Sequence, residues 1–283
     1  MSLVDLSDVL NRITGGGPSP AQHIFWWKNN FSSVGSQPTN PVAGTFVSLF
    51  GLVGNPTPIS SSATPPLTST ICDNTTTGSL YIAPPVSGKN YLLGATGMSS
   101  NVSMLIYYDR LCHIAGLSGT VTTPQTVSSS INRYTGSACI GNRMYVDIIS
   151  AVGTTVVKYN VTYINQDGNT AVSPSASIGG TGWRENASLL PVPFAQGDTG
   201  VTAVNSIILS GTTTTAGNFG VMIGRPLLQI GLGIVDCISL RDTLFGTDPI
   251  PTIEPNACIA QMAIASANTI PIYFGSIHVV EAP

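Results

Sequence analysis

The sequence predicts a mostly β protein: an antiparallel β-sandwich of jelly-roll type, with an extended, largely irregular N-terminal arm and a short N-terminal helix. Three observations predict it. Short apolar runs recur with Gly, Thr and Asn turns between them, at spacings of about 8–12 residues. Helical periodicity is confined to the first turns of the chain. Charge is scarce, with 8% of the 283 residues Asp, Glu, Lys or Arg, against roughly 25% in an ordinary globular domain.

The helix is read at Ser2 to Ile13, where Leu3, Leu6, Leu10 and Ile13 share one face at helical spacing. Ser2 with Asp5 forms a capping pair, and Gly15-Gly16-Gly17-Pro18 stops the helix. A helix this short is marginal in water, so its apolar stripe needs a surface to dock on. From Gly15 to about Thr70 the chain is punctuated by Pro, Gly, Ser and Thr, with apolar islands at Ile24-Phe25-Trp26-Trp27 and Phe46 to Phe50. Regular structure is expected to be scarce there, and Asn55 to Thr70 reads as an extended linker. Adjacent tryptophans in an irregular segment suit an arm that plugs aromatic anchors into a surface; an ordinary loop packed on its own domain fits as well.

Beyond residue 70 the pattern is that of strands. Tyr91 to Leu93, Val102 to Tyr108 and Arg143 to Ser150 are short apolar runs. Thr155 to Ile164 alternates cleanly: Val157, Tyr159, Val161 and Tyr163 against Lys158, Asn160 and Thr162, one buried face and one wet. Asn165 to Asn169 supplies a turn, and Thr170 to Ala176 returns as hairpin partner. Further strands are expected at Val201–Leu209, Phe219–Ile223, Leu227–Ile234, Cys258–Ala265 and Ile270–Val280, with a short helical turn at Ser239 to Leu244. The division is residues 1–70 for helix, arm and linker and 71–283 for one sandwich. Two β modules separated near 177–188 are the alternative, because Ser177 to Gly182 is a glycine-rich loop.

Composition narrows the function. With mean hydropathy +0.29 and little charge, the chain either enters a membrane or covers its surface in an assembly. A spanning helix needs about 18 consecutive apolar residues. Val221 to Ile238 is broken by Arg225, Pro226, Gln229 and Asp236, and Ile259 to Val280 by Gln261, Asn268, Pro271 and His278. Met1 to Ile13 has neither a basic nor an apolar signal region, so a soluble chain with no membrane partner is expected. Net charge is −3 and no basic cluster occurs, which excludes nucleic acid as a partner held through phosphates. The five cysteines, Cys72, Cys112, Cys139, Cys237 and Cys258, show no metal or disulfide spacing and read as small buried hydrophobes.

The chain is expected not to be an enzyme and to have no catalytic, cofactor-binding or metal-binding residues. His23, His113 and His278 have no ligand neighbours at useful spacing. Cys112 and His113 would point to opposite faces of a strand. No GxSxG elbow, Walker loop, GxGxxG or HExxH occurs. Aromatic residues beside charges occur at Tyr107-Tyr108-Asp109-Arg110 and Trp183-Arg184-Glu185. Arginine next to aromatics is favoured at interfaces; a buried strand end with a compensated ion pair is the competing reading. The candidate interaction residues are therefore Leu3, Leu6, Leu10, Phe25, Trp26, Trp27, Tyr108, Arg110, Trp183 and Arg184.

Leu189-Leu190-Pro191-Val192-Pro193-Phe194-Ala195-Gln196-Gly197-Asp198-Thr199-Gly200-Val201, with Val204 to Ser210, Ala216 to Gly220 and Tyr163 to Asn169, resembles β-rich virion structural proteins of tailed bacteriophages. The resemblance covers about the last 130 residues. It implies a capsid decoration or cement protein on the capsid surface, made in the host cytoplasm. Its expected partners are copies of itself, in a homo-oligomer such as a trimer, and the major capsid protein or other virion proteins. A tail, baseplate or receptor-binding protein is the alternative, and a β-sandwich hydrolase the third.

Overall fold

A computed structural model describes Ser7, Leu10, Asn11, Thr14 and residues 21–29, 42–58, 70–184, 187–243, 249–268 and 271–282. The strands in chain order are β1 (Gln22–Asn29), β2 (Phe46–Ser48), β3 (Val53–Asn55), β4 (Thr70–Ile71), β5 (Lys89–Ser99) and β6 (Ser103–Leu117). Then come β7 (Gln125–Thr126), β8 (Arg143–Ser150), β9 (Val157–Asn165), β10 (Thr170–Val172), β11 (Ala176–Ile178) and β12 (Ser188–Pro191). The rest are β13 (Val201–Leu209), β14 (Asn218–Leu232), β15 (Ser239–Asp242), β16 (Thr252–Ile253), β17 (Ile259–Ala265) and β18 (Tyr273–Ala282).

The fold is mostly β and antiparallel, as the sequence predicts. Three sheets form. The first runs β15-β5-β18-β1-β3, with β16 also on β5; the second runs β10-β9-β13-β7, with β11 also on β9. The third runs β14-β8-β12-β2-β17-β6-β4, and β14 pairs β6 as well. That last pairing closes six strands into a barrel, which leaves them no free edge.

Alternation along the long strands tells each side chain which core to enter. On β6, Ile106 and Tyr108 face the barrel lumen with Tyr145, Met222 and Met262. Leu105 and Tyr107 face the first sheet, meeting Trp26, Tyr273 and Ile277. The outer faces of β8 and β14 (Val146, Ile148, Val221, Ile223) pack on Val157, Tyr159, Val161 and Tyr163 of the second sheet. The pairing of β6 with β14 skips Leu111: Cys112 lies opposite Ile223 but Arg110 opposite Gly224. A bulge of one residue reverses the facing of everything beyond it. Arg110 and His113, three apart, consequently share the lumen.

The hairpin, with Thr170–Val172 paired back onto Thr162–Ile164 of β9, forms where the sequence places it. Three expectations are corrected. The island Ile24 to Trp27, expected in an irregular arm, lies in an eight-residue strand, because β18 pairs along its length and β3 pairs its other edge from Trp27 to Asn29. Ser239 to Asp242, expected as a helical turn, is a strand paired with β5. The two runs at Phe219 and Leu227 are one strand, with register shifts on both sides of Pro226, the kind of site where a strand tolerates proline. At the N-terminus, Ser7, Leu10 and Asn11 are helical and Leu10 is exposed; Leu3 and Leu6 lie outside the described residues.

Candidate interaction surface

The first sheet has one face on the barrel and one on solvent, and β1 shows how the sequence sorts its aromatics between them. Trp26 is 2% exposed, Trp27 38% and Phe25 66%. Trp26 points inward, its Nε1 donating to the Tyr107 hydroxyl at 3.0 Å, with the two rings edge-on. Gly275 opposite it is required, since a Cβ there would lie 2.7 Å from the indole. Phe25 and Trp27 point outward.

Residues opposite each other in a sheet share a face, so the pairing defines the outer surface row by row. Trp27 stands opposite Phe274, and Phe274 opposite Met98. Phe25 stands opposite Ser276, then Thr96, then Leu240. Ile238 joins the first row, lining a groove of about 300 Å³ with Phe25, Trp27, Met98 and Phe274. Phe274 is 43% exposed, Leu240 67% and Ile238 74%. Neither row carries a charge. The third row pairs His23 with His278, their rings stacked at 4.0 Å. Burial, then the neighbouring His23, hold the His278 imidazole below its usual value.

Two buried groups hold this sheet in place. Lys28, on the inner side of β1, is fully buried, and its Nζ donates to the carbonyls of Pro56 at 2.7 Å and Leu52 at 3.3 Å. Burial lowers its pKa to about 8. Glu281 on β18 accepts the backbone N–H of Ser87 at 2.7 Å and of Val86 at 3.0 Å.

Tyr108 and Arg110, read from the sequence as interface candidates, are both 0% exposed and offer nothing to a partner. The competing reading, a compensated ion pair, describes their geometry. Arg110 Nη2 donates to Asp147 Oδ2 at 2.6 Å and meets His113 Nδ1 at 2.8 Å. Its Nη1 donates to the Tyr108 hydroxyl, and its guanidinium lies 4.8 Å from the Phe50 ring centre. One strand position away, Arg133 grips Asp109 through Nε at 2.9 Å and Nη2 at 2.7 Å. Asp109 also accepts the Cys258 N–H. Burial, followed by the Arg110 charge, pushes the His113 imidazole down to about 3, so the ring is neutral and accepts from Arg110. Four of the five cysteines are buried, with Cys237 the exposed one.

Trp183 is 42% exposed beside a small pocket of about 340 Å³ that Tyr159 and Leu190 also line. Arg184 is half-buried and its carbonyl accepts the Val152 N–H. Neither lies with Phe25 and Trp27 on the outer rows of the first sheet. The sequence reading missed Phe274, Ile238 and Leu240. Tyr273-Phe274 is an aromatic pair with no alternation to say which ring faces out, and Leu240 sits in the segment read as helical. Among the described residues no three His, Cys, Asp or Glu side chains gather as a metal site.

No protein-family model matches the chain, and no curated protein matches it. The chain aligns over 93% of its length with a crystal structure of the infectious bursal disease virus VP2 subviral particle. That alignment covers 81% of the viral chain at 8% identity and a TM-score of 0.19. A structure of the Gt strain of the same virus aligns over 93% of this chain and 82% of its own, at 9% identity and a TM-score of 0.18. At these scores neither alignment bears on fold or function.

Proposed function

We propose that the protein is a structural component of a virus particle, a capsid decoration or cement protein, and that it works by association between copies of itself rather than by catalysis. The observation that carries the association is the outer face of the first sheet. It presents Phe25, Trp27, Phe274, Ile238 and Leu240 to solvent, with Met98 between them and no charge in either row. At roughly 150–250 Å² per large side chain, these exposed fractions leave on the order of 500 Å² of apolar surface. That is near the top of what a monomer shows in one patch and a large part of the ~800 Å² each partner gives to a stable interface. A second copy fits because two such faces meet without like charges opposed. The link to a virus particle rests on the resemblance of about the last 130 residues, carried by Tyr163 to Asn169 and by segments between Leu189 and Gly220, to phage virion proteins.

Size-exclusion chromatography with light scattering tests association. The native chain is expected to run as an oligomer, and Phe25→Ser with Phe274→Ser to shift it toward monomer with its circular dichroism spectrum intact. A native monomer at micromolar concentration would sink the proposal. The pocket beside Trp183 favours a second reading, a virion protein that recognises a surface ligand. Under that reading the chain would be present in few copies per particle and would bind host cells alone.

A further inference from the structure

We propose that the mouth of the barrel is a binding site for a single-chain alkyl carboxylate, a fatty-acid-like amphiphile. The barrel is not filled along its whole length. One part of the lumen is plugged by Tyr108, Met222, Met262 and the Arg110–Asp147 pair. The mouth opens into a cavity of about 990 Å³.

Its inner wall is Phe46, Met104, Ile106 and Tyr145, which the lumen core also holds. Its outer wall is Leu227, Leu228 and Ile230 of β14, beyond the register shifts at Gly224 and Pro226 where that strand bends. Barrel mouths are favoured ligand sites, and such sites are mostly apolar with a few fixed polar groups. Among the described residues, the charged members of the lining are Arg143 and Arg241. The Arg143 guanidinium is held 5.3 Å from the Phe194 ring centre, with Nη1 donating to the carbonyls of Asn142 and Thr199. A cation fixed at the rim of an apolar cavity fits a ligand with an apolar body and one anionic end.

Volume sets a ceiling of two chains. A methylene group is close in size to a water molecule, at about 30 Å³. A chain of 12 to 16 carbons then occupies roughly 360–480 Å³, leaving room for a head group. Two such chains would fill the cavity to its rim.

Titration with dodecanoate and with dodecan-1-ol, followed by calorimetry and native mass spectrometry, tests this. One dodecanoate per chain is expected. Ile106→Trp, which narrows the cavity at its inner wall, should weaken it at least tenfold, and so should Leu228→Trp at the outer wall. The second variant decides the matter if the first does not fold. Arg143→Gln combined with Arg241→Gln should weaken dodecanoate at least tenfold and leave dodecanol unchanged. Three results would overturn the site: no binding by the native chain, full binding by a folded tryptophan variant, or equal affinity for the acid and the alcohol. Phe25→Ser with Phe274→Ser should bind dodecanoate as the native chain does, so failure of this site and failure of self-association are separable.

Discussion

The barrel lumen and the outer face of the first sheet divide the side chains in the reverse of the usual way. Next to the lumen lie Arg110, Asp147, Asp109, Arg133 and His113, none more than 7% exposed. On the outer face lie Phe25, Trp27, Phe274, Ile238 and Leu240, each at least 38% exposed. In a chain with so little charge, placing two arginine–aspartate pairs inside removes them from the surface altogether. The inner pairs are each hydrogen-bonded to several partners, which is the condition under which a buried ion pair is tolerated. Of the outer residues, Phe25, Trp27, Phe274 and Ile238 line one groove, and exposed apolar patches of this size are typical of interaction surfaces.

Breaking the inner side of the comparison should have the largest effect. Arg110→Ala strands Asp147 without its cation, and is expected to cost about 3–5 kcal/mol, seen as a lowered denaturant midpoint. A change under 1 kcal/mol would mean that the pair is not buried as described. The next effect depends on pH. His113 is neutral when folded, with a pKa of about 3 against 6.5 in the unfolded chain. Its contribution is complete above 6.5 and is lost as pH falls from 6.5 toward 3, because the unfolded chain takes up the proton first. Across that window stability should fall by up to ~1.4 kcal/mol per pH unit from this group, with His278 adding in the same direction. His113→Gln should flatten the urea-midpoint profile between pH 6 and 4; an unchanged slope would remove His113 as the cause. The smallest effect on stability belongs to the outer side. Trp27→Ser, at a side chain 38% exposed, should lower stability by about 1–2 kcal/mol while reducing self-association at least tenfold. A loss of several kcal/mol would show that Trp27 belongs to the core.

Where one face of a strand is wet and polar, the sequence showed it. In β9, Val157, Tyr159, Val161 and Tyr163 are buried, and Lys158, Asn160 and Thr162 are more open. The strand carries its own evidence, and its hairpin partner is five residues away. Where both faces are covered, the alternation disappears. Met104 to Leu117 is buried or nearly so except Gly116, so nothing in the residue types marks the bulge at Leu111 that turns His113 toward Arg110. Alternation is also missing at Ile24 to Trp27, where one face is open to solvent yet apolar residues run consecutively. Aromatic weight there signalled contact, but Trp26 and Trp27 are chemically alike, and only pairing with β18 assigns one to each side. Ser239 to Asp242 was misread for want of context: an isolated four-residue edge strand has no periodicity to display. At Tyr108-Asp109-Arg110 the sequence offered both an interface and a buried ion pair and could not choose, because Arg133 and Asp147, which compensate it, lie far along the chain.

The pairing of β1 with β18 also sets a timetable. β1 ends at Asn29 and β18 begins at Tyr273, so at about 5–20 residues per second the two are synthesised on the order of tens of seconds apart. Until the later strand arrives, Trp26 has no Gly275 to rest on, and Phe25 and Trp27 have no neighbours to hold them to one side. The outer face therefore comes into being only after β18 has been made. A chain truncated or stalled before Tyr273 lacks β18 and cannot display it.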